Sequence, residues 1–159
     1  AESVMSWLHD LDERVPFGIK TTEAPHYRRV GLQRRERGRV EDGDDGSPGQ
    51  KRRAGIVAGD GFAFVSHTGD VYPSGFLPEA AGDVREDDVV DVYRNADLFE
   101  ALRDRSRLTG KCGVCEYRHV CGGSRSRAYA TTGDPLASDP LCSYVPDEWD
   151  APHANVAGD

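Results

Sequence analysis

Apolar residues recur at helical spacing near the N-terminus of this 159-residue chain. Val4, Trp7, Leu8 and Leu11 follow the i, i+3, i+4, i+7 pattern, which predicts an amphipathic helix over residues 1–12. The next segment, residues 15–22, predicts a short strand. A helix followed directly by a strand is typical of an α/β repeat, which is stable only when it packs against further repeats. We therefore expect residues 1–30 to be the end of a larger α/β unit whose other repeats lie elsewhere.

A second pattern begins near residue 61 and predicts a different architecture. Phe62 and Phe64 alternate with smaller residues, and a turn at residues 67–70 leads into Val71. This predicts a β-hairpin in which Gly69 provides the positive φ of a tight turn. Short helices are predicted over residues 89–94, 97–105 and 124–132, the last ending at Gly133. The predicted fold class is α+β, a small hairpin with short helices over residues 59–146.

Charge runs separate these two parts and follow the second. Residues 31–58 contain basic, acidic and again basic blocks with few aliphatic residues. Such a segment buries too little apolar surface to offset its ordering entropy, so we expect a flexible charged linker or insertion. Its clustered arginines could form a nucleic-acid arm, but the acidic interruption at residues 41–45 argues against it. Residues 147–159 are predicted to be a disordered tail.

Net charge and composition exclude several classes of protein. The net charge is -8, which argues against a nucleic-acid binder, and no apolar run is long enough for a membrane helix. The first residues show no basic-then-apolar leader, so we expect a cytoplasmic protein. Only three of the 20 basic residues are lysine, and 18 of the 28 acidic residues are aspartate. An acidic, lysine-poor surface stays hydrated in concentrated salt, so we expect a halophilic host.

The four cysteines lie in the last third of the chain, in the pattern C-x2-C-x5-C-x20-C that is formed by Cys112, Cys115, Cys121 and Cys142. Three explanations are open. Two disulfides would suit a secreted chain, for which there is no signal. A four-thiolate zinc site usually uses paired C-x2-4-C knuckles, and this chain has one. A [4Fe-4S] cluster suits three local ligands with a distant fourth. The glycines beside the cysteines, and the predicted helix after the third, would let backbone N–H groups approach the thiolates.

The cysteine block resembles the C-terminal SPASM region of radical SAM enzymes, a region that carries auxiliary [4Fe-4S] clusters. The resemblance rests on residues 110–134, GKCGVCEYRHVCGGSRSRAYATTGD, on the DPLC of residues 139–142, and on the upstream GDVYPSGFLP of residues 69–78. Among these enzymes the chain is most similar to the haem-biosynthesis-like group, which includes iron-coproporphyrin decarboxylases and nitrite-reductase haem maturation proteins. Residues 20–29 resemble the end of the preceding barrel in that group.

The resemblance implies one [4Fe-4S] cluster, with the four cysteines as its ligands. Ser74 and Ser124 stand where related sequences can place further cluster ligands, so no second cluster is expected. The C-x3-C-x2-C loop that binds the SAM-cleaving cluster is missing, because Cys112 is the first cysteine. S-adenosylmethionine would therefore bind only in a radical SAM barrel, either in a longer parent chain or in a partner subunit. This chain alone would be inactive, and the substrate of the parent enzyme would be a small molecule such as a porphyrin, or a peptide.

Four further residues are candidates for contacts with the cofactor or the substrate. His26 and Arg28 follow the barrel-like segment, where strand ends form the active rim of such barrels. Arg125 and Tyr129 share one face of the helix after the cysteines, and Arg125 could donate to cluster sulfurs or to a substrate carboxylate. The alternative function is a non-catalytic interaction domain in which the four cysteines bind zinc.

Overall fold

The computed structural model describes residues 1–42 and 57–149. In this part the chain forms mainly short helices and one small sheet. The helices are α1 (Glu2–Asp12), α2 (His26–Asp42), α3 (Val89–Asn95), α4 (Asp97–Arg103), α5 (Gly110–Val114) and α6 (Arg125–Thr132), with a 3₁₀ turn at Arg105–Arg107. The strands are β1 (Phe64–Val65), β2 (Asp70–Tyr72) and β3 (Gly82–Asp83). The α+β class is confirmed. No helix in the described ranges is long and apolar enough to cross a bilayer.

The hairpin forms where the sequence predicts it. Strands β1 and β2 are antiparallel, with Val65 opposite Val71, and β3 pairs with the other edge of β2. The turn contains Gly69 at φ 99°, a conformation that residues with a Cβ rarely adopt. Val71 is fully buried and packs with Phe99 of α4 and Val92 of α3, so the sheet and these two helices share one small apolar core.

Local capping explains where the helices begin and end. The Asp88 side chain accepts hydrogen bonds from the backbone N–H groups of Val90 and Asp91 at the start of α3. The Ser124 side chain caps α6 in the same way, by accepting from Arg127 N. Gly133 ends α6 with φ 75°, as predicted from the sequence.

The N-terminal part differs from the prediction in two respects. Residues 15–22 form bends rather than a strand, because a strand needs a neighbouring strand to bond its backbone and none lies beside this segment in the described ranges. Residues 31–42 continue helix α2, so the predicted linker does not begin at residue 31. Arginine, glutamate and glutamine are good helix formers, and α2 packs against α1. The rest of the predicted linker up to residue 56, and the predicted tail from residue 150 onward, lie outside the described residues.

Helix α1 forms as predicted, but its apolar face is not covered. Trp7 is 54% exposed and Val4 is 51% exposed, and no residue of the helix is buried. The contacts between α1 and α2 include His9, which stacks on Tyr27 with ring centroids 3.9 Å apart, and Arg29, which pairs with Glu2. The side of α1 that carries Val4 and Trp7 is therefore largely exposed to solvent.

Candidate metal centre

The four cysteines line one cavity, although the chain between the first and the last includes helix α6 and several loops. Cys112 lies in α5, Cys115 directly after it, Cys121 in the following loop and Cys142 in the C-terminal segment. The cavity is an open pocket of about 330 Å³, a volume that includes solvent space at its mouth. All four thiols are free, so neither disulfide is formed. The structure thus brings the predicted metal ligands to the same place.

The donor set consists of four thiols, which are soft ligands for zinc or for iron. Within residues 1–42 and 57–149, no three His, Cys, Asp or Glu side chains converge closely enough to hold a single metal ion. A zinc ion would require its four sulfurs at about 2.3 Å from one centre. An iron–sulfur cluster presents several metal atoms, so each thiolate binds a different iron and the ligands can stand further apart. Four soft thiol donors around a common cavity fit such a cluster.

Glycine makes the close approach of the loops around the cysteines possible. A Cβ on Gly113 would lie 2.3 Å from the Leu108 carbonyl oxygen. A Cβ on Gly123, which has φ 66°, would lie 2.6 Å from Arg125 Nη2 and 3.1 Å from Cys112 Sγ. Any side chain at either position would displace neighbouring atoms from the cavity wall.

Basic side chains surround the cysteines. Arg29 of α2 is 1% exposed and lines the cavity together with Arg118 and Lys111, whose ammonium group donates to the Cys142 carbonyl oxygen at 2.6 Å. Arg125 Nη2 lies 3.6 Å from Cys112 Sγ. The Tyr144 ring also lines the cavity and receives the Arg29 guanidinium 4.6 Å from its centroid. A cationic wall of this kind favours an anionic occupant.

The ionisation of the thiols differs with their surroundings. Burial raises the pKa of Cys121 to about 12. Burial would also raise the pKa of Cys142, but the interactions with His26, the backbone of Tyr144 and Arg29 together outweigh it, so the Cys142 pKa falls below its ordinary value. The surroundings of Cys142 therefore favour its thiolate form.

His26 belongs to a buried network of polar side chains. It is 3% exposed, and its Nε2 lies 3.3 Å from Asp139 Oδ2, outside the angle of a good hydrogen bond. Burial lowers the pKa of His26, but its interactions with Asp139 and Cys142 outweigh burial and raise it to about 9. His26 begins helix α2, and the strand predicted before it is not formed in the described residues.

The other three predicted contact residues have different surroundings. Arg125 is 2% exposed, which excludes a solvated helix face, and its Nη2 lies 3.6 Å from Cys112 Sγ. Arg28 is half-buried and donates to the Val120 carbonyl oxygen at 3.2 Å, next to Cys121. Tyr129 is half-buried on α6 and does not line the cavity. Of the four, the structure thus brings Arg125 and His26 against cysteines.

The sequence analysis overlooked Asp139 and Glu23. Asp139 is 1% exposed and accepts hydrogen bonds from Ser124 N at 2.6 Å and from Arg127 Nη2 at 2.7 Å. Glu23 accepts from Ser124 Oγ at 2.5 Å and has φ 52°. The position of Asp139 three residues before Cys142 was a usable signal. No sequence signal pointed to Glu23, because its partner Ser124 is far away in the sequence, after the third cysteine.

Comparison with known proteins adds relatives over most of the chain. The chain is 40% identical to the AdoMet-dependent heme synthase of Methanosarcina barkeri over 145 residues, and this match covers 91% of the chain and 42% of the relative. It is 39% identical over 92 residues to the pre-heme d1 synthase of Dinoroseobacter shibae, covering 55% and 23%, and 32% identical over 99 residues to a PqqA peptide cyclase of a Methylobacterium species, covering 62% and 25%. No protein-family model matches the chain.

The chain spans less than half the length of these curated relatives. All three are radical SAM/SPASM-type proteins. The resemblance carried by the cysteine block and the similarity over 91% of the chain agree, and the chain accordingly belongs to the radical SAM/SPASM-type proteins of the haem-biosynthesis-like group.

Proposed function

We propose that Cys112, Cys115, Cys121 and Cys142 hold one [4Fe-4S] cluster and that the chain is the auxiliary-cluster region of a radical SAM enzyme. The observation that carries this proposal is the placement of all four thiols around one cavity. The cationic residues of the cavity wall support it, because four thiolates outweigh the positive charge of the cluster core and make the group an anion.

Each residue of the cavity has a separate task in this proposal. The four cysteines are the iron ligands, and Arg29 and Arg125 balance their charge. Tyr144 covers part of the opening, since its ring lines the cavity and packs edge-on against Tyr117 at 5.5 Å. When bound, a cluster with four cysteine ligands supplies one-electron transfer or a structural cross-link, but no open iron for substrate.

S-adenosylmethionine would bind outside this chain, in a radical SAM barrel of a longer parent chain or of a partner subunit. Two observations support a missing partner. The chain spans 42% of a relative that it matches over nearly all of its own length. The apolar side chains Val4, Trp7 and Phe17 are 51%, 54% and 63% exposed, as expected for a face that another unit covers. The end of that barrel would then lie in residues 1–30.

The substrate that we favour is a porphyrin rather than a peptide. Relatives named heme synthase match 91% of the chain at 37–41% identity, whereas those named peptide cyclase match 52–62% of it at 30–33% identity. Reaction on that substrate would require the barrel, so this chain alone would be inactive. Four unpaired thiols suit a reducing cytoplasm.

The decisive experiment is anaerobic reconstitution of the chain with iron and sulfide. We expect about four iron and about four sulfide per chain and a broad absorption band near ~400 nm. Cys142→Ser should lower the iron content and bleach this band, whereas the exposed neighbour Ser143→Ala should change neither. A colourless protein that holds about one zinc per chain would overturn the proposal in favour of the zinc-binding interaction domain.

A further inference from the structure

Arg125 is a buried cation that contacts with three segments of the site hold in one orientation. Its Nη1 donates to the carbonyl oxygens of Pro135 at 2.9 Å and Ala137 at 2.8 Å, and its Nε approaches the Gly123 carbonyl at 3.4 Å. The remaining nitrogen, Nη2, faces Cys112 Sγ at 3.6 Å. The guanidinium therefore cannot swing away from the cysteine without breaking backbone contacts.

The charge of Arg125 has no carboxylate partner in the described ranges, residues 1–42 and 57–149. Three other arginines near the site each have one there: Arg29 pairs with Glu2, Arg127 pairs with Asp139, and Arg105 lies 3.7 Å from Asp60. Carbonyl oxygens solvate the Arg125 guanidinium but do not neutralise it. Burying a charge without a counter-ion costs free energy, so we expect a compensating interaction of Arg125 at this site.

A second cation, Arg105, lies nearby, and its partner Asp60 is 3.7 Å away at an exposed position. Burial lowers the pKa of Arg105, and the positive charge of Arg125 lowers it further, although Asp60 opposes both. The two like charges therefore repel each other beside Cys112 and Cys121. An anion held by the cysteines would attract both guanidinium groups and relieve this repulsion.

We propose that Arg125 is the fixed counter-charge of the cysteine-bound cluster and that it raises the reduction potential of that cluster. The inference rests on the proposed function. Reduction adds one electron from an external one-electron donor to a group that is already an anion, with no bond made or broken. A cation next to Cys112 stabilises the more negative, reduced state more than the oxidised one, which shifts the midpoint potential upward.

The test is a potentiometric titration of the reconstituted chain, with dithionite as the donor and the EPR signal of the reduced cluster as the readout. Arg125→Gln removes the charge and keeps a donor group. We expect a midpoint potential more negative than that of the wild type, and Arg125→Lys should fall between the two. Arg107→Gln, at an exposed position of the 3₁₀ turn, is the control and should leave the potential unchanged.

The outcomes separate a charge effect from a purely structural one. An Arg125→Gln protein that loads iron with an unchanged potential overturns the inference. If Arg125→Gln does not fold, Arg125→Lys decides: loading of a cluster by this variant supports the need for a charge, whereas failure of both variants means that the guanidinium serves only to bind the carbonyl groups. A wild-type chain without iron and sulfide would overturn the proposed function itself, independently of any Arg125 variant.

Discussion

The Asp139 carboxylate lies 3.3 Å from the His26 imidazole, although the two residues stand near opposite ends of the described chain. Asp139 also accepts hydrogen bonds from Arg127 and from the backbone of Ser124, at the start of α6. Three segments are thus joined at one buried carboxylate, three residues before the fourth cysteine. Burial by itself would raise the pKa of Asp139, but the interaction with His26 and the hydrogen bonds from Arg127 and from the backbone of Ser124 together outweigh it and hold the pKa well below its usual range.

Asp139→Asn tests this junction. The amide keeps the shape of the side chain but loses the charge that Arg127 faces, and one of its NH₂ hydrogens would point at a donor. We expect the free energy of unfolding of the apoprotein to fall by about 2–4 kcal/mol, the range for charged hydrogen bonds and broken buried pairs. Urea denaturation followed by circular dichroism measures this change. The exposed Asp147→Asn is the matched control and should stay within about 0.5 kcal/mol of wild type. Equal stability of the two variants would contradict the role of Asp139.

Gly123→Ala tests the crowding of the cavity wall. The new methyl group would lie 2.6 Å from Arg125 Nη2 and 2.8 Å from Asp139 Cβ, in a backbone conformation with φ 66°. Overpacking and the left-handed backbone together predict a loss of about 2–5 kcal/mol in the free energy of unfolding. The iron content after reconstitution should fall as well, because the clash would displace the Cys112 thiol, which lies 3.1 Å from the new methyl group.

Gly133→Ala is the matched control, since its φ is 75° but a Cβ there meets open space. Gly133→Ala has the strained left-handed backbone but no steric clash, so we expect the free energy of unfolding to fall by about 1 kcal/mol and iron loading to be complete. If both alanine variants lose the same stability and load the same amount of iron, close packing at Gly123 is not what shapes the site.

The sequence predicted correctly those helices and strands that a few neighbouring residues determine. The hairpin needs only alternation and the positive φ of Gly69, and α6 needs only Ser124 at its start and Gly133 at its end. Helix α2 was not predicted, and its part from residue 31 onward was assigned to a linker, because low apolar content was given more weight than the helix propensity of arginine and glutamate. The strand at residues 15–22 was wrong, because a two-residue periodicity stabilises a strand only when another strand is beside it.

The candidate site, too, was predictable from the sequence only in part. The spacing of the cysteines was enough to group them, and the structure places them around one cavity. The partners of those cysteines could not be predicted from spacing, since His26, Glu23 and Asp139 meet through tertiary packing across the whole chain. Arg125 was found as a candidate, but its burial was not, because a helix of this polarity resembles a solvated one.

Screening of the net charge of -8 predicts a salt-dependent stability. Repulsion between surface carboxylates destabilises the folded chain, and the Debye length falls from about 10 Å at 0.1 M salt to about 3 Å at 1 M. We expect the melting temperature to rise by roughly 3 °C between 0.1 M and 2 M KCl, which corresponds to about 1 kcal/mol. Differential scanning calorimetry measures this rise.

The control for the salt effect is a variant with less net charge. Glu86→Lys and Glu148→Lys change two exposed acidic positions, and together they halve the net charge. The rise in melting temperature with KCl should shrink in this double variant. A melting temperature that is independent of salt in the wild type would contradict both the charge argument and the expectation of a halophilic host.

Removal of iron should loosen the cysteine region and leave the hairpin core intact. Val71, Val92 and Phe99 form a core that includes no cysteine, whereas few large apolar side chains are buried around the cavity. Hydrogen exchange of the chelated and the reconstituted chain can be compared by mass spectrometry. We expect amides of residues 110–123 and 139–145 to exchange more than about tenfold faster without iron, while amides of β2 and α4 keep their protection. Phe99→Ala is the converse control: it should destabilise the hairpin core by about 3–5 kcal/mol. Equal loss of protection throughout the chain on chelation would mean that the two regions unfold as one unit.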